Sequence, residues 1–206
     1  MTASHLEFLV EEPSAEAFLS SFLPRVLGDR ITFTVHVHQG KPDLLKNLEP
    51  RLRAYSKWLP ENIRVIVLVD RDGDDCHLLK QKIETIAVSS GMVTRAAAAG
   101  KNWQVVNRIA CEELEVWFLG DWSALRQVYP KLSSRIPSKA AFRDPDAITG
   151  GTWEALERIL KASGYYRGGL RKVECARELG CHLNPSHSTS SSFLAFFDAL
   201  SEAASP

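Results

Sequence analysis

Val69-Asp70-Arg71-Asp72-Gly73-Asp74-Asp75 sets four carboxylates among the six residues from 70 to 75, directly after an apolar run. Crowded carboxylates repel and raise one another's pKa unless a cation compensates them, so the stretch suits a hard divalent metal or a well-solvated turn. An acidic turn capping the following helix is the plainer reading, and both stand at this point. Asp70 and Asp72 point to one side wherever an extended backbone persists beyond the strand. A second acidic position, Glu11, closes another apolar run at residues 6–10. If both runs are strands of one parallel sheet, Glu11, Asp70 and Asp72 converge at its rim.

Residues 6–10 read as a strand that stops at Glu11-Glu12-Pro13-Ser14, with Ser14 a candidate N-cap for the helix marked by Ala15, Phe18, Leu19, Phe22 and Leu23. Ile31, Phe33, Val35 and Val37 alternate with Thr32, Thr34, His36 and His38, the period of a strand with one buried face. Leu44, Leu45, Leu48, Leu52, Tyr55 and Leu59 mark a helix that Pro50 is expected to kink or divide. The run 64–69, apolar on both faces, is the pattern of a central parallel strand covered by helices. Residues 78–88 then read as a helix, 92–98 as a strand, 103–109 as a strand or the approach to a helix, and 110–119 as a helix with Leu114, Trp117 and Phe118 inward. This alternation predicts an α/β fold with a mostly parallel sheet flanked by helices. Residues 1–132 would form the α/β domain, 133–151 a loop or linker, and 152–206 a small helical C-terminal extension packed on the same domain, with helices at 153–162, 170–179 and 193–203.

A chain of 206 residues with 45% hydrophobic and 24% charged residues can bury a core as one domain. Its 25 Lys and Arg balance 25 Asp and Glu, so bulk charge gives no reason to expect nucleic-acid or membrane binding, and any such surface is local. No apolar stretch approaches the roughly 20 residues that span a bilayer. The N-terminus lacks the basic start of a secretion signal, and the cytoplasm is the expected compartment. Cys76, Cys111, Cys175 and Cys181 have neither zinc-knuckle spacing nor disulfide density and are expected to be free thiols. His36 and His38 share a strand face without a third soft ligand. No phosphate-cradling Gly-Lys-Thr loop is visible, which argues against an intrinsic ATPase.

The acidic loop does not match an EF-hand, because Asp75 and Gln81 stand where that loop needs glycine and glutamate. Its apolar strand followed by Asp70-Arg71-Asp72-Gly73 resembles a haloacid-dehalogenase-type phosphatase, which stays as an alternative. A broader likeness is to the Toprim domain of topoisomerases, primases and overcoming-lysogenization-defect nucleases. Residues 9–16, Leu-Val-Glu-Glu-Pro-Ser-Ala-Glu, resemble its glutamate turn, with Glu12 where such turns usually carry glycine; residues 67–72 resemble its Asp-x-Asp strand end. More narrowly, the chain resembles a bacterial Toprim-like family known as domain of unknown function 4276, through residues 39–45, 108–121 and the closing Ser192-Phe193 with its helix.

The resemblance implies a Toprim-like fold and magnesium- or manganese-dependent, nuclease-like cleavage of phosphodiesters in DNA or RNA. It also implies an anti-phage or mobile-element setting, often beside an ATPase partner. Glu11, Asp70 and Asp72 would then hold one or two ions, Asp74 and Glu16 a second ion or an outer sphere. The likeness further favours Glu115 and then Glu112 as metal-site contributors, with Glu113 facing solvent. Lys41, just after the second strand, could meet a scissile phosphate as a point charge. Lys46, Arg51, Arg53 and Lys57 with Lys41 give one helix a basic face. Arg167, Arg171, Lys172 and Arg177 lie near Tyr165 and Tyr166, a combination suited to single-stranded bases and their backbone. A Toprim-shaped regulatory or binding subunit with a silent acidic site is the non-catalytic alternative.

Overall fold

A computed structural model describes residues 3–98 and 102–205. Strands β1 (His5–Val10), β2 (Thr32–Val37), β3 (Ile63–Asp70) and β4 (Val105–Ala110) form a sheet of order β2-β1-β3-β4, and every pairing is parallel. The mostly parallel α/β sheet expected of a Toprim-like chain is therefore present. Helices α1 (Pro13–Leu27), α2 (Lys41–Trp58) and α3 (Cys76–Ser89) are the crossovers that link successive strands. From β1 the chain moves to one side of the sheet, and from β3 to the other. The winding reverses between these two neighbours, and in open parallel sheets ligands bind beyond the carboxyl ends of the strands at such a reversal.

The two-residue period of the strands sorts the core into two layers. Phe8, Val10, Ile66 and Leu68 pack with α1 and the C-terminal helices. Leu9, Val65, Val67 and Val69 pack with Leu44, Leu48 and Leu52 of α2 and Leu79 and Ile83 of α3. Covering both faces is what makes β3 apolar from Val65 to Val69.

Several local expectations are corrected. Helix α2 runs unbroken through Pro50, because Leu48 and Leu52 anchor it on the sheet while Pro50 faces solvent. Ser14 does not cap α1; Glu12 holds that position, and the buried Ser14 hydroxyl donates to Glu12 Oε1 at 2.5 Å. Residues 92–98 form a turn with one isolated bridge, Thr94 to Val105, rather than a strand. Of the two readings of residues 103–109, the strand is the observed one, and it extends to Ala110; the helix expected from 110 begins only at Glu115.

The remaining helices are α4 (Glu115–Gly120), α5 (Trp122–Val128), α6 (Thr152–Ala162), α7 (Lys172–Gly180) and α8 (Ser191–Ala204). Residues 133–151 contain two short 3-10 turns and are pinned to the start of α8, where the Ser192 and Ser190 hydroxyls donate to Asp146 Oδ1 at 2.6 and 3.1 Å. One apolar cluster runs from Ala3 to Ala203 through α1 and α4 to α8.

Helix α7 lies hard against α1. A Cβ on Gly180 would sit 2.7 Å from the Phe18 carbonyl oxygen, so only glycine permits this approach. Arg25 then donates to the carbonyls of Gly180 and Leu183 at 2.8 and 3.0 Å, satisfying the end of α7. This packing carries Lys172, at the other end of α7, to the start of α1. Among the described residues no helix is long and apolar enough to cross a membrane, and all four cysteines are free.

Candidate active site

Parallel pairing in register sets Val10 opposite Leu68, so the residue after β1 meets the end of β3. There the Asp70 amide donates to Glu11 Oε1 at 2.7 Å. The expected convergence of these two positions is thus observed. Glu11 is buried, and burial raises its pKa to about 7 against the opposing effects of the Asp70 amide and Lys41. Burial likewise pushes Asp70 well up, with Glu11, Glu115, Glu12 and Asp72 adding to the effect. No hydrogen bond reaches the Asp70 carboxylate among the described residues.

Glu115 enters from α4. Leu114, Trp117 and Phe118 are buried as expected, and Glu115 is drawn inward with them to 2% exposure. Its Oε2 has no hydrogen-bond partner, and burial raises its pKa to about 7, opposed by Lys172. The Lys172 amine stands 4.0 Å from Glu115 Oε1 and 3.7 Å from Glu113 Oε1, over the Trp153 ring. Burial works against its charge, but Glu115, Glu12, Glu113 and Asp70 outweigh that cost and raise its pKa. Lys172, placed by sequence among surface nucleic-acid contacts, is the cation of the acidic centre. Glu12 also acts on Asp70, Glu115 and Lys172, with an ordinary extended backbone (φ −146°) that needs no glycine. Sequence reading missed it; the doubled glutamate after β1 was the only signal.

The second aspartate follows a different path. Extended backbone ends at Asp70 and Asp72 turns with φ 49°, so the extended chain on which a shared side was expected does not continue to Asp72, whose charge nevertheless acts on Asp70 and Glu11. The Asp72 carboxylate lies 2.7 Å from Lys41 Nζ, which also donates to Asp74 Oδ2 and the Arg71 carbonyl, both at 2.8 Å. Lys41 is held there because the Gly40 amide donates to the Glu11 carbonyl at 2.9 Å, tying the β2–α2 loop to the end of β1. Burial lowers the Lys41 pKa, while Asp72, Asp74 and Glu11 raise it to a net increase. Lys41 in turn holds Asp74 below the usual carboxylate range. Asp75 caps α3 by accepting from the His77 and Leu78 amides, so the acidic stretch divides between a cap and a lysine clamp.

The neighbouring glutamates brace the rim. Glu112 (φ 67°) pairs with Arg71 and accepts from the Gly150 amide at 3.2 Å, and its carbonyl accepts from the Asp72 amide at 2.7 Å. Glu113 does not face solvent as expected; its Oε2 accepts from the Thr152 and Trp153 amides at 2.9 and 3.0 Å and caps α6. Glu16 is exposed on α1. Lys46 and Arg53 lie exposed on α2, where Arg53 pairs with Glu49, and Arg51 is half-buried beside Tyr55. Arg167 and Arg171 are exposed before α7. His36 bonds Glu7, whereas His38 bonds the Val10 carbonyl.

Among the described residues no three Asp, Glu, His or Cys side chains are spaced as a ready-made ion cage. In kind, the donors fit a hard divalent cation. They are all oxygens, they carry charge that burial opposes, and the Glu115 oxygen is buried without a partner.

A doubly wound, parallel α/β domain with buried carboxylates at its winding reversal is the class that this fold and centre define. The chain belongs to the family described as Domain of unknown function (DUF4276), whose model matches residues 10–201. No curated protein matches the sequence. Among solved structures, the chain is similar to the C-terminal region of the Burkholderia pseudomallei OLD protein, at 18% identity over 100% of both chains, with a TM-score of 0.47.

Proposed function

We propose that the chain is a divalent-metal-dependent phosphodiesterase acting on nucleic acid, a nuclease of Toprim type. The observation that carries this reading is the Glu11 carboxylate bonded to the Asp70 amide, which joins the glutamate turn and the Asp-x-Asp strand end at one crevice. Glu11, Asp70 and Glu115 would hold Mg2+ or Mn2+, with Asp72 adjoining. When bound, the ion supplies polarisation of the phosphoryl oxygens and neutralises charge on the leaving oxygen. Lys41 and Lys172 bring two amines to the same rim, where each can donate to a phosphate oxygen and orient the backbone of the strand.

The family resemblance supports a place for this activity in anti-phage or mobile-element defence, together with an ATPase partner. The second reading is a Toprim-shaped binding or regulatory subunit that cuts nothing. It is favoured by the same two lysines, which already neutralise carboxylates that an ion would otherwise compensate. Incubating the purified protein with single-stranded and duplex DNA and RNA separates the two. Fragments that require Mg2+ or Mn2+ and vanish with chelator and with Asp70→Asn support the nuclease. No cleavage under any cation supports the binding subunit, and turnover of a small phosphate ester instead would point to the phosphatase.

A further inference from the structure

Beyond the acidic rim, an open cavity of about 690 Å3 lies between the end of α5, the loop of residues 163–171 and the outer face of α7. Tyr129, Tyr165 and Tyr166 line it together with Arg167, Arg171, Glu174 and Glu178, with Arg171 paired to Glu174 at 2.7 Å and Tyr129 donating to Glu178 at 3.2 Å. The tyrosine rings meet edge to face, Tyr129 at 5.1 Å from Tyr165 and 5.9 Å from Tyr166, and the hydroxyls of Tyr129 and Tyr166 share a hydrogen bond of 2.9 Å. Tyr165 and Tyr166 are half-buried: each packs against the main core and leaves part of its surface to the cavity. Arg171 lies over the Tyr166 ring at 5.5 Å, extending the aromatic wall with a planar guanidinium.

Tyr166 holds a backbone φ of 45°, a left-handed conformation that disfavours a side chain. The hydrogen bond to Tyr129 and the packing of its ring against the core hold it in this conformation. Arg167 is exposed and forms no ion pair among the described residues, so its charge is available to a phosphate. Arg171 and Lys172 are consecutive, about 3.8 Å apart in the backbone. The cavity and the carboxylate centre therefore share the first turn of α7.

We infer that this cavity receives an unpaired base of a single-stranded nucleic acid whose backbone crosses the carboxylate centre. Aromatic and guanidinium planes stack on any base, and an adjoining arginine holds the connecting phosphate. A base in a duplex is buried in its stack and cannot enter, so the substrate class is single-stranded or locally melted. This inference rests on the nucleic-acid reading above, but it concerns binding and does not need cleavage.

The test is fluorescence anisotropy of dye-labelled oligonucleotides, DNA and RNA, with chelator present so that no strand is cut. The variants are Tyr166→Gly, which suits the left-handed backbone, and Arg167→Glu, at an exposed position that folding does not use. Single strands should bind more tightly than duplexes and than a free nucleoside monophosphate, and each variant should weaken single-strand binding about tenfold. Equal binding of duplex, equal binding of the free nucleotide, or unchanged affinity in both variants overturns the inference. Cation-dependent cleavage with normal binding in both variants would leave the nuclease reading standing without this pocket. Variant-sensitive binding without cleavage would leave the pocket standing without the nuclease.

Discussion

The Asp70 amide and the Glu11 carboxylate meet at 2.7 Å, and this one bond joins the ends of β1 and β3. It places a buried acid where the sheet's winding reverses, and it ties the acid's orientation to the backbone of the strand that carries the second acid. The charge of both is opposed by burial. A cation, a proton or a lysine must compensate them, and each alternative has a measurable signature.

The pH dependence of stability is the first. Glu11 and Glu115 titrate near 7 in the folded protein and near the ordinary 4.5 when unfolded. Between these values the folded state holds more protons, so stability falls as pH rises from about 4.5 to 7 and levels off above. Each pH unit of displacement corresponds to about 1.36 kcal/mol. A chain of this size loses about 2–4 °C of melting temperature per kcal/mol. Thermal melts should therefore decline across this window, and less steeply in Glu11→Gln, whose amide oxygen can still accept from Asp70. A flat profile would contradict the burial argument.

Lys41 is expected to order the acidic loop. Lys41→Met removes contacts to Asp72, Asp74 and the Arg71 carbonyl. Both aspartates are half-exposed, so the loss in global stability should be only about 1 kcal/mol. Amide exchange of residues 71–74 should nevertheless accelerate clearly, because the clamp is local. Unchanged exchange there would mean that Arg71 and Glu112 suffice to hold the loop.

Gly180→Ala should act at a distance. The new methyl meets the Phe18 carbonyl, a backbone atom that cannot rotate away. A destabilisation of about 1–3 kcal/mol is expected. Displacement of α7 should also move Lys172 off Trp153, read as a change in tryptophan fluorescence. A stable variant with an unaltered spectrum would show that α7 is not seated by this contact.

The parts legible in sequence were those set by local patterning. The apolar run of β3, the alternation of β2 and the acidic ends of β1 and β3 follow from strand periodicity and the rule that sites lie beyond parallel strand ends. Glu115 came from family resemblance, and its burial from its neighbours Leu114, Trp117 and Phe118. The contact of Lys172 with the acidic centre was not legible, because its position depends on α7 packing against α1 through Gly180, a contact between residues far apart in the chain. The segment 111–114 looks helical by spacing, yet Glu112 takes a left-handed turn because its carbonyl and carboxylate are claimed by Asp72 and Arg71. Asp72 departs from extended backbone for a similar reason, drawn to Lys41 at the start of α2.

The most direct measurement is Mn2+ binding by titration calorimetry on the wild-type protein and on Asp70→Asn and Glu11→Gln, with folding of each variant checked by melting. Saturable binding to the wild type, weakened about 10–100-fold or more in both variants, is the predicted result. Absence of Mn2+ binding by the wild type, or equal binding by all three proteins, would contradict a cation centre built on these carboxylates.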